Sequence, residues 1–161
     1  MTTAAGAPGE PRRIQVIERE QLIGRARGEV FAFFADALNL ETLTPPWLHF
    51  GVRTPAPIEM RTGAEIAYRM RVHGVPVGWL TRIEEWEPDT RFVDRQLRGP
   101  YRLWHHTHTF EELDGATLMR DRVRYTIPLG PLGRAAEAIF VRRDLETIFD
   151  FRRDTVARLL G

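Results

Sequence analysis

His106 and His108 stand two residues apart in the run WHHTHTF, Trp104 to Phe110. On a β-strand alternate side chains share a face, so both imidazoles point the same way, together with Trp104 and Phe110. The preceding segment, PDTRFVDRQLR, places Phe92, Asp94 and Gln96 on one face in the same manner, and a Gly99-Pro100 turn joins the two. Three chemistries suit such a set. Paired imidazoles can share a metal ion, with Asp94 or Asp121 as a third ligand, and Glu111 or Glu112 mimics part of a cupin motif. That spacing fails elsewhere: Gly99 lies one residue too far away and no second histidine-bearing half is present, so no metal is assigned. Alternatively a histidine backed by an aspartate can take a proton from the carbon beside a carbonyl while Tyr125 donates to the enolate, with Asp94, His106, His108, Asp121 and Tyr125 as candidate catalytic residues. A third reading is a self-satisfied Asp-His network that fixes strand register. Large apolar groups mixed with titratable ones describe a pocket wall more readily than a dry core, because buried polar atoms without partners cost several kcal/mol, about 2 to 7.

Absences narrow the chemistry further. The 161-residue chain contains no Ser, Cys or Lys; all 23 of its Lys/Arg positions are Arg. Seryl and cysteinyl nucleophiles, a Schiff-base lysine and the lysine of a phosphate-binding loop are therefore excluded. A formal net charge of +1 favours neither nucleic acid nor an anionic membrane. No apolar run approaches the roughly 20 residues that cross a bilayer, and residues 1–12 read as a disordered tail without the apolar centre of a secretory signal. Lack of cysteine fits the cytoplasm. Arg120, Arg122 and Arg124 alternate on one strand and, with Glu65, Glu84 and Glu111 on other outward faces, read as a solvated convex surface.

These side chains need elements to hold them. Ile14–Ile23 predicts an edge strand, and Glu29–Leu40 an amphipathic helix whose apolar side is Val30, Phe31, Phe33, Phe34 and Leu38. Thr44-Pro45-Pro46 stops any helical continuation beyond it. Strands are expected at Trp47–Thr54, Glu65–His73 and Val77–Trp86, the last two joined by a turn at Gly74–Pro76. The central pair comes next, then a hairpin at Asp114-Gly115 and a strand over Thr117–Pro128. The segment PLGPLG, residues 128–133, is expected as the loop that enters the final helix. A helix of about seven turns then runs from Gly133 to Leu160, with Ala138, Val141, Leu145, Ile148, Val156 and Leu159 as its stripe and Arg152 interrupting it.

This order, with Val30-Phe31, Phe33-Phe34, Asn39-Leu40, Thr44-Pro45 and Trp47-Leu48 early in the chain, resembles the START/Bet v 1-like (SRPBCC) superfamily. Within it the chain looks like the bacterial polyketide cyclase/dehydrase-like ligand-binding group. Trp79, Phe92, Asp94, Gln96, Gly99-Pro100-Tyr101, Trp104, His106, His108, Phe110, Asp121, Tyr125 and Phe151-Arg152 carry the later part of the likeness. The resemblance implies an α+β helix-grip fold over residues 13–161: a curved antiparallel sheet of six or seven strands wrapped around a long C-terminal helix, with two short helices after the first strand. It also implies a cavity for a small hydrophobic ligand (lipid, isoprenoid or polyketide-like), gated by the loop at residues 128–133 and bound without cofactor by a monomer or homodimer. The expected ligand-binding residues are Tyr68, Trp79, Phe92, Asp94, Gln96, Trp104, His106, His108, Phe110, Tyr125 and Arg152, with Arg152 countering a pocket carboxylate or an acidic ligand group. Cyclisation or dehydration by the histidines is the alternative.

Overall fold

Alternating apolar and charged residues, with hairpin turns between them, make most of this chain a sheet. The computed structural model describes residues 13–161; the tail expected at residues 1–12 lies outside them. Among the described residues seven strands form one antiparallel sheet in the order β1-β7-β6-β5-β4-β3-β2. They are β1 (Gln15–Ile23), β2 (Gly51–Val52), β3 (Glu65–Val72), β4 (Val75–Glu87), β5 (Arg91–Arg98), β6 (Leu103–Leu113) and β7 (Ala116–Thr126). The first strand is an edge strand, as its interleaved charges predict. Asp114-Gly115 closes the β6–β7 hairpin with both residues at positive φ, 49° and 81°, the backbone that a two-residue turn matched to strand twist requires. The β3–β4 turn uses His73-Gly74 in the same way, at 49° and 80°, so β4 begins at Val75 and the turn expected at Gly74–Pro76 moves back.

Two register shifts in β4, at Leu80/Thr81 and Ile83/Glu85, bend the sheet. The second leaves Glu84 unpaired and re-aims the rest of the strand. Trp86 rather than Glu85 then lies opposite Phe92 and packs beside Phe31, at 5.2 Å between ring centroids.

Two short helices come after β1: α1 (Arg27–Ala35) and α2 (Asn39–Leu43). The single helix expected over Glu29–Leu40 breaks because the Asp36 carboxylate accepts the Leu38 backbone N–H at 3.0 Å, a local turn that competes with the helical bond. Leu38 is consequently exposed, not on an apolar side. The strand expected at Trp47–Thr54 shrinks to the two residues of β2, preceded by a 3-10 turn at Pro46–Leu48.

The C-terminal helix is continuous but not uniform. It begins at Gly130, three residues before the expected start, as α3 (Gly130–Ala136), widens into a π-helical segment (Glu137–Val141) and continues as α4 (Arg142–Leu160). Pro131 sits near its N-terminus, where its missing N–H costs nothing. The segment 128–133 is therefore mostly first helical turn rather than loop. The wider segment rotates the residues before it relative to α4, so Ala138 is exposed; within α4 the ordinary 3-4 spacing exposes Leu159 and buries Leu160. The face that meets the sheet is Leu145, Phe149, Arg152, Val156 and Leu160.

Two apolar clusters form between sheet and helices. One gathers Phe31, Phe34, Phe92, Phe110, Met119 and Val156; the other gathers Ile17, Trp104, Val123, Tyr125, Leu145 and Phe149.

Candidate functional site

Because the sheet curls and only one long helix fills its hollow, the two clusters do not close the interior. A cavity of about 750 Å³ remains between β3–β6 and the α4 face. Its wall is mostly apolar: Tyr68, Ile83 and Trp79 from the outer strands, Trp104 and Tyr101 near the β5–β6 turn, Leu145 and Phe149 from the helix. Trp79 meets Trp104 edge to face at 5.2 Å, and Tyr101 lies 4.8 Å from the Trp104 ring. At the rim, the imidazole of His73 in the β3–β4 turn reaches Asp144 of α4 at 2.7 Å. Trp47 packs on Phe151 there, at 6.0 Å.

One end of the cavity is polar. Asp94 on β5 lies opposite His106 on β6, and His108 lies opposite Asp121 on β7, but the shortest bonds run diagonally. His106 Nε2 donates to Asp121 Oδ1 at 2.7 Å, and His108 Nε2 donates to Asp94 Oδ2 at 2.7 Å. His108 Nδ1 is also 3.2 Å from Asp121 Oδ1, and Arg152 reaches that same oxygen at 3.5 Å. The rings stack in a row: Phe92 on His108 at 4.0 Å, His108 on His106 at 3.7 Å. Phe149 covers the outer side of His106, and the Arg152 guanidinium lies 5.0 Å over Phe34. A charged layer thus separates the two apolar clusters and borders the cavity on one side.

Protonation is set by this packing. His108 Nε2 bonds Asp94, and its Nδ1 lies 3.2 Å from Asp121 and 3.5 Å from Arg152, so two carboxylates favour a positive charge on this ring. Burial opposes that charge, but the hydrogen bonds to Asp121 and Asp94 outweigh it and raise the His108 pKa. His106 is lowered, first by burial and then by the neighbouring His108 charge. Burial also opposes the Asp121 charge, yet Arg152 and the two histidines hold this carboxyl well below its usual range. Asp94 is lowered against burial by its bond from His108 and by the His108 and Arg152 charges. Two carboxylates, one guanidinium and one imidazolium then balance, and His106 stays neutral.

Of the side chains expected to bind ligand, Tyr68, Trp79, Phe92, Asp94, Trp104, His106, His108 and Arg152 line the cavity. Gln96, Phe110 and Tyr125 do not. Gln96 pins the β5–β6 turn by donating to the Tyr101 carbonyl at 2.7 Å and accepting its N–H at 3.2 Å. Phe110 is packed solid against Phe31, Phe34 and Phe92. Tyr125 is buried and donates its hydroxyl to Glu137 at 2.9 Å; burial first and that bond second push its pKa up to about 12. It therefore does not complete the acid–base set with the histidines. Arg152 counters a carboxylate, that of Asp121, as its place in the stripe predicts. Phe149, His73 and Asp144 escaped sequence reasoning: the first because the expected stripe continued from Leu145 to Ile148 at i+3 where the buried face continues to Phe149 at i+4, the others because they join a turn to a helix 71 residues away. Asp94, His106 and His108 can place one donor atom each within 4.8 Å of the others, close enough to share an ion.

No protein-family model and no curated protein matches the chain. Solved structures do. Protein CV1439 from Chromobacterium violaceum superposes with a TM-score of 0.69 at 15% identity, covering 90% of this chain and 96% of that one. The Zhui aromatase/cyclase from Streptomyces sp. R1128 gives 0.69 at 16% identity, over 90% and 92%. Ara h 8.0201 gives 0.59 at 16% identity, over 89% and 98%. The architecture is accordingly a Bet v 1-like helix-grip fold, shared with a polyketide aromatase/cyclase.

Proposed function

We propose that this Bet v 1-like chain binds one small, largely apolar molecule, such as a lipid, an isoprenoid or a polyketide-like aromatic, between its curved sheet and C-terminal helix. The observation that carries the reading is the cavity itself: about 750 Å³, walled by aromatic and aliphatic side chains, with polar groups gathered at one end. Small-molecule sites commonly measure about 300 to 1,000 Å³ and combine an apolar wall with a few orienting polar groups. Because the polar cluster is balanced internally, an uncharged hydroxyl or carbonyl end of the ligand meets it at least cost. Gentle purification followed by denaturing extraction and mass spectrometry should recover one apolar molecule per chain. Ile148 lines the cavity from α4; Ile148→Trp should fill it and abolish displacement of a bound fluorescent fatty acid while the protein stays folded. Undiminished binding by that variant would place the ligand elsewhere.

A second reading is catalysis of cyclisation or dehydration. It is favoured by His106, a neutral imidazole whose Nε2–H is held by Asp121 at 2.7 Å, which leaves Nδ1 as a base beside the cavity. Nδ1 would take a proton from the carbon next to a ligand carbonyl, with the electron pair passing to the carbonyl oxygen. Tyr68, kept protonated by burial and by the Asp94 charge, would donate in the place Tyr125 cannot occupy. Turnover of a poly-β-carbonyl thioester that disappears in His106→Gln supports catalysis; tight binding without turnover leaves the carrier reading alone.

A further inference from the structure

The two histidines do more than satisfy neighbouring carboxylates. Each ring directs one nitrogen to the same oxygen of Asp121: His106 Nε2 at 2.7 Å and His108 Nδ1 at 3.2 Å. Their other nitrogens, His106 Nδ1 and His108 Nε2, both face Asp94 Oδ2, at 3.8 and 2.7 Å. Asp94, His106 and His108 line the cavity, whereas Asp121 lies behind the rings and outside it, compensated by Arg152 at 3.5 Å. Histidines that bind metal almost always give their second ring N–H to a carboxylate or carbonyl, which fixes tautomer and ring angle. Here one aspartate does this for both rings, and the opposite nitrogens converge on a second aspartate.

We propose that Asp94, His106 Nδ1 and His108 Nε2 form a three-ligand site for a divalent transition ion of the zinc or ferrous-iron class, its remaining positions open to the cavity, with Asp121 as the positioning residue. Two imidazoles and one carboxylate suit such ions; magnesium and calcium prefer oxygen throughout. Bonds of about 2.0 to 2.2 Å place neighbouring ligand atoms roughly 3 to 3.5 Å apart. The separations of 2.7 and 3.8 Å straddle that spacing, so small side-chain rotations suffice. The ion displaces the His108 Nε2 proton to solvent, so both rings ligate as neutral imidazoles, each keeping one N–H toward Asp121; with Arg152 offsetting Asp121, the ion's two charges then meet the single charge of Asp94. Its next ligand is therefore an anionic oxygen: hydroxide, or a carboxylate, phenolate or enolate at the end of a cavity ligand. This site does not depend on the carrier reading, and a metal on His106 Nδ1 removes the free base that the catalytic reading needs.

The test uses the full chain made without a histidine tag, stripped with EDTA and titrated with Zn2+ against a chromophoric chelator. One Zn2+ should bind per chain, and crystals soaked in Zn2+ should show the anomalous peak at Asp94, His106 and His108. Asp94→Asn and His106→Gln should each weaken binding at least about 100-fold, and Asp121→Asn, which keeps all three ligands, by about 10- to 100-fold. If His106→Gln fails to fold, Asp94→Asn, nearly isosteric and partly exposed, decides the matter. Equal Zn2+ affinity in wild type and Asp94→Asn, or a peak on His49, His73 or His105, would overturn the proposal. Fatty-acid displacement measured in EDTA reports on the cavity separately, so either idea can fail without the other.

Discussion

Asp121 receives His106, His108 and Arg152 at one carboxylate oxygen, and removing the cationic His108 or Arg152 would leave its charge buried without compensation. Breaking a buried pair in this way costs about 3 to 5 kcal/mol. The proton shared between the histidines makes the cluster respond to pH in both directions. His108 titrates above the usual histidine value of 6.5 when folded, so its contribution is complete below 6.5 and lost as pH rises through the folded value. His106 titrates below 6.5 when folded, so protons favour the unfolded chain and stability falls as pH drops from 6.5 through its folded value. Asp94 and Asp121, both lowered, lose their contributions as pH falls below 3.8 through their folded values. The melting temperature of EDTA-treated protein should peak near 6.5 and decline on both sides, and His108→Gln should flatten the alkaline side. A wild-type profile that is level between about pH 5 and 8 would show that the pair does not share one proton in this way.

At the scale of elements, irregularities aim the side chains. The ladder irregularity at Glu84 turns Trp86 onto the Phe31 cluster, and the π segment rotates Ala138 away from the face that Leu145, Phe149 and Arg152 turn to the sheet. Where the helix begins, Gly133 is buried, and a Cβ there would sit on the carbonyl oxygen of Pro128 with Ile127 close behind. Alanine inside a helix is ordinarily better than glycine by about 1 kcal/mol. At this position the sign should reverse: Gly133→Ala should lower the unfolding free energy by about 1 to 3 kcal/mol in denaturant titration, because the crossing is already in contact. Equal or greater stability would mean that the Pro128 carbonyl yields freely.

For the molecule as a whole, access to the cavity depends on how the sheet is held to the helix. His73–Asp144 joins the β3–β4 turn to α4 at the rim and is largely exposed. Such pairs contribute no more than about 1 kcal/mol, so opening here is cheap. Asp144→Ala should leave the melting temperature nearly unchanged, yet speed amide exchange in the β3–β4 turn and the exit of a bound fluorescent fatty acid severalfold. An unchanged exit rate would move the entrance to another part of the rim. Of residues 128–133, expected as a gating loop, only Pro128-Leu129 precede the helix and none lines the cavity, which leaves the gate a prediction for amide exchange. Amide exchange there as slow as in the central strands would remove it.

The fold was legible in side-chain alternation, because period-two patterns, an Asp-Gly turn and a long amphipathic tail leave few ways to cover one face of an antiparallel sheet. The inward direction of Phe92, Asp94, His106 and His108 comes from the same parity, and so does the pairing of Arg120 and Arg122 with outward glutamates. Parity is a local property, however, and it is lost wherever an extra residue enters. The β4 bulge, the turn made by Asp36 and the π segment each altered which residue faced inward. Parity says nothing of depth either: Phe110 and Tyr125 share the inward face with His106 but lie where side chains fill the space, whereas His106 borders the hollow. Which carboxylate binds which imidazole, and on which side the hollow remains, was decided only when three strands and the helix brought distant residues together, since those distances depend on register, curvature and helical phase at once.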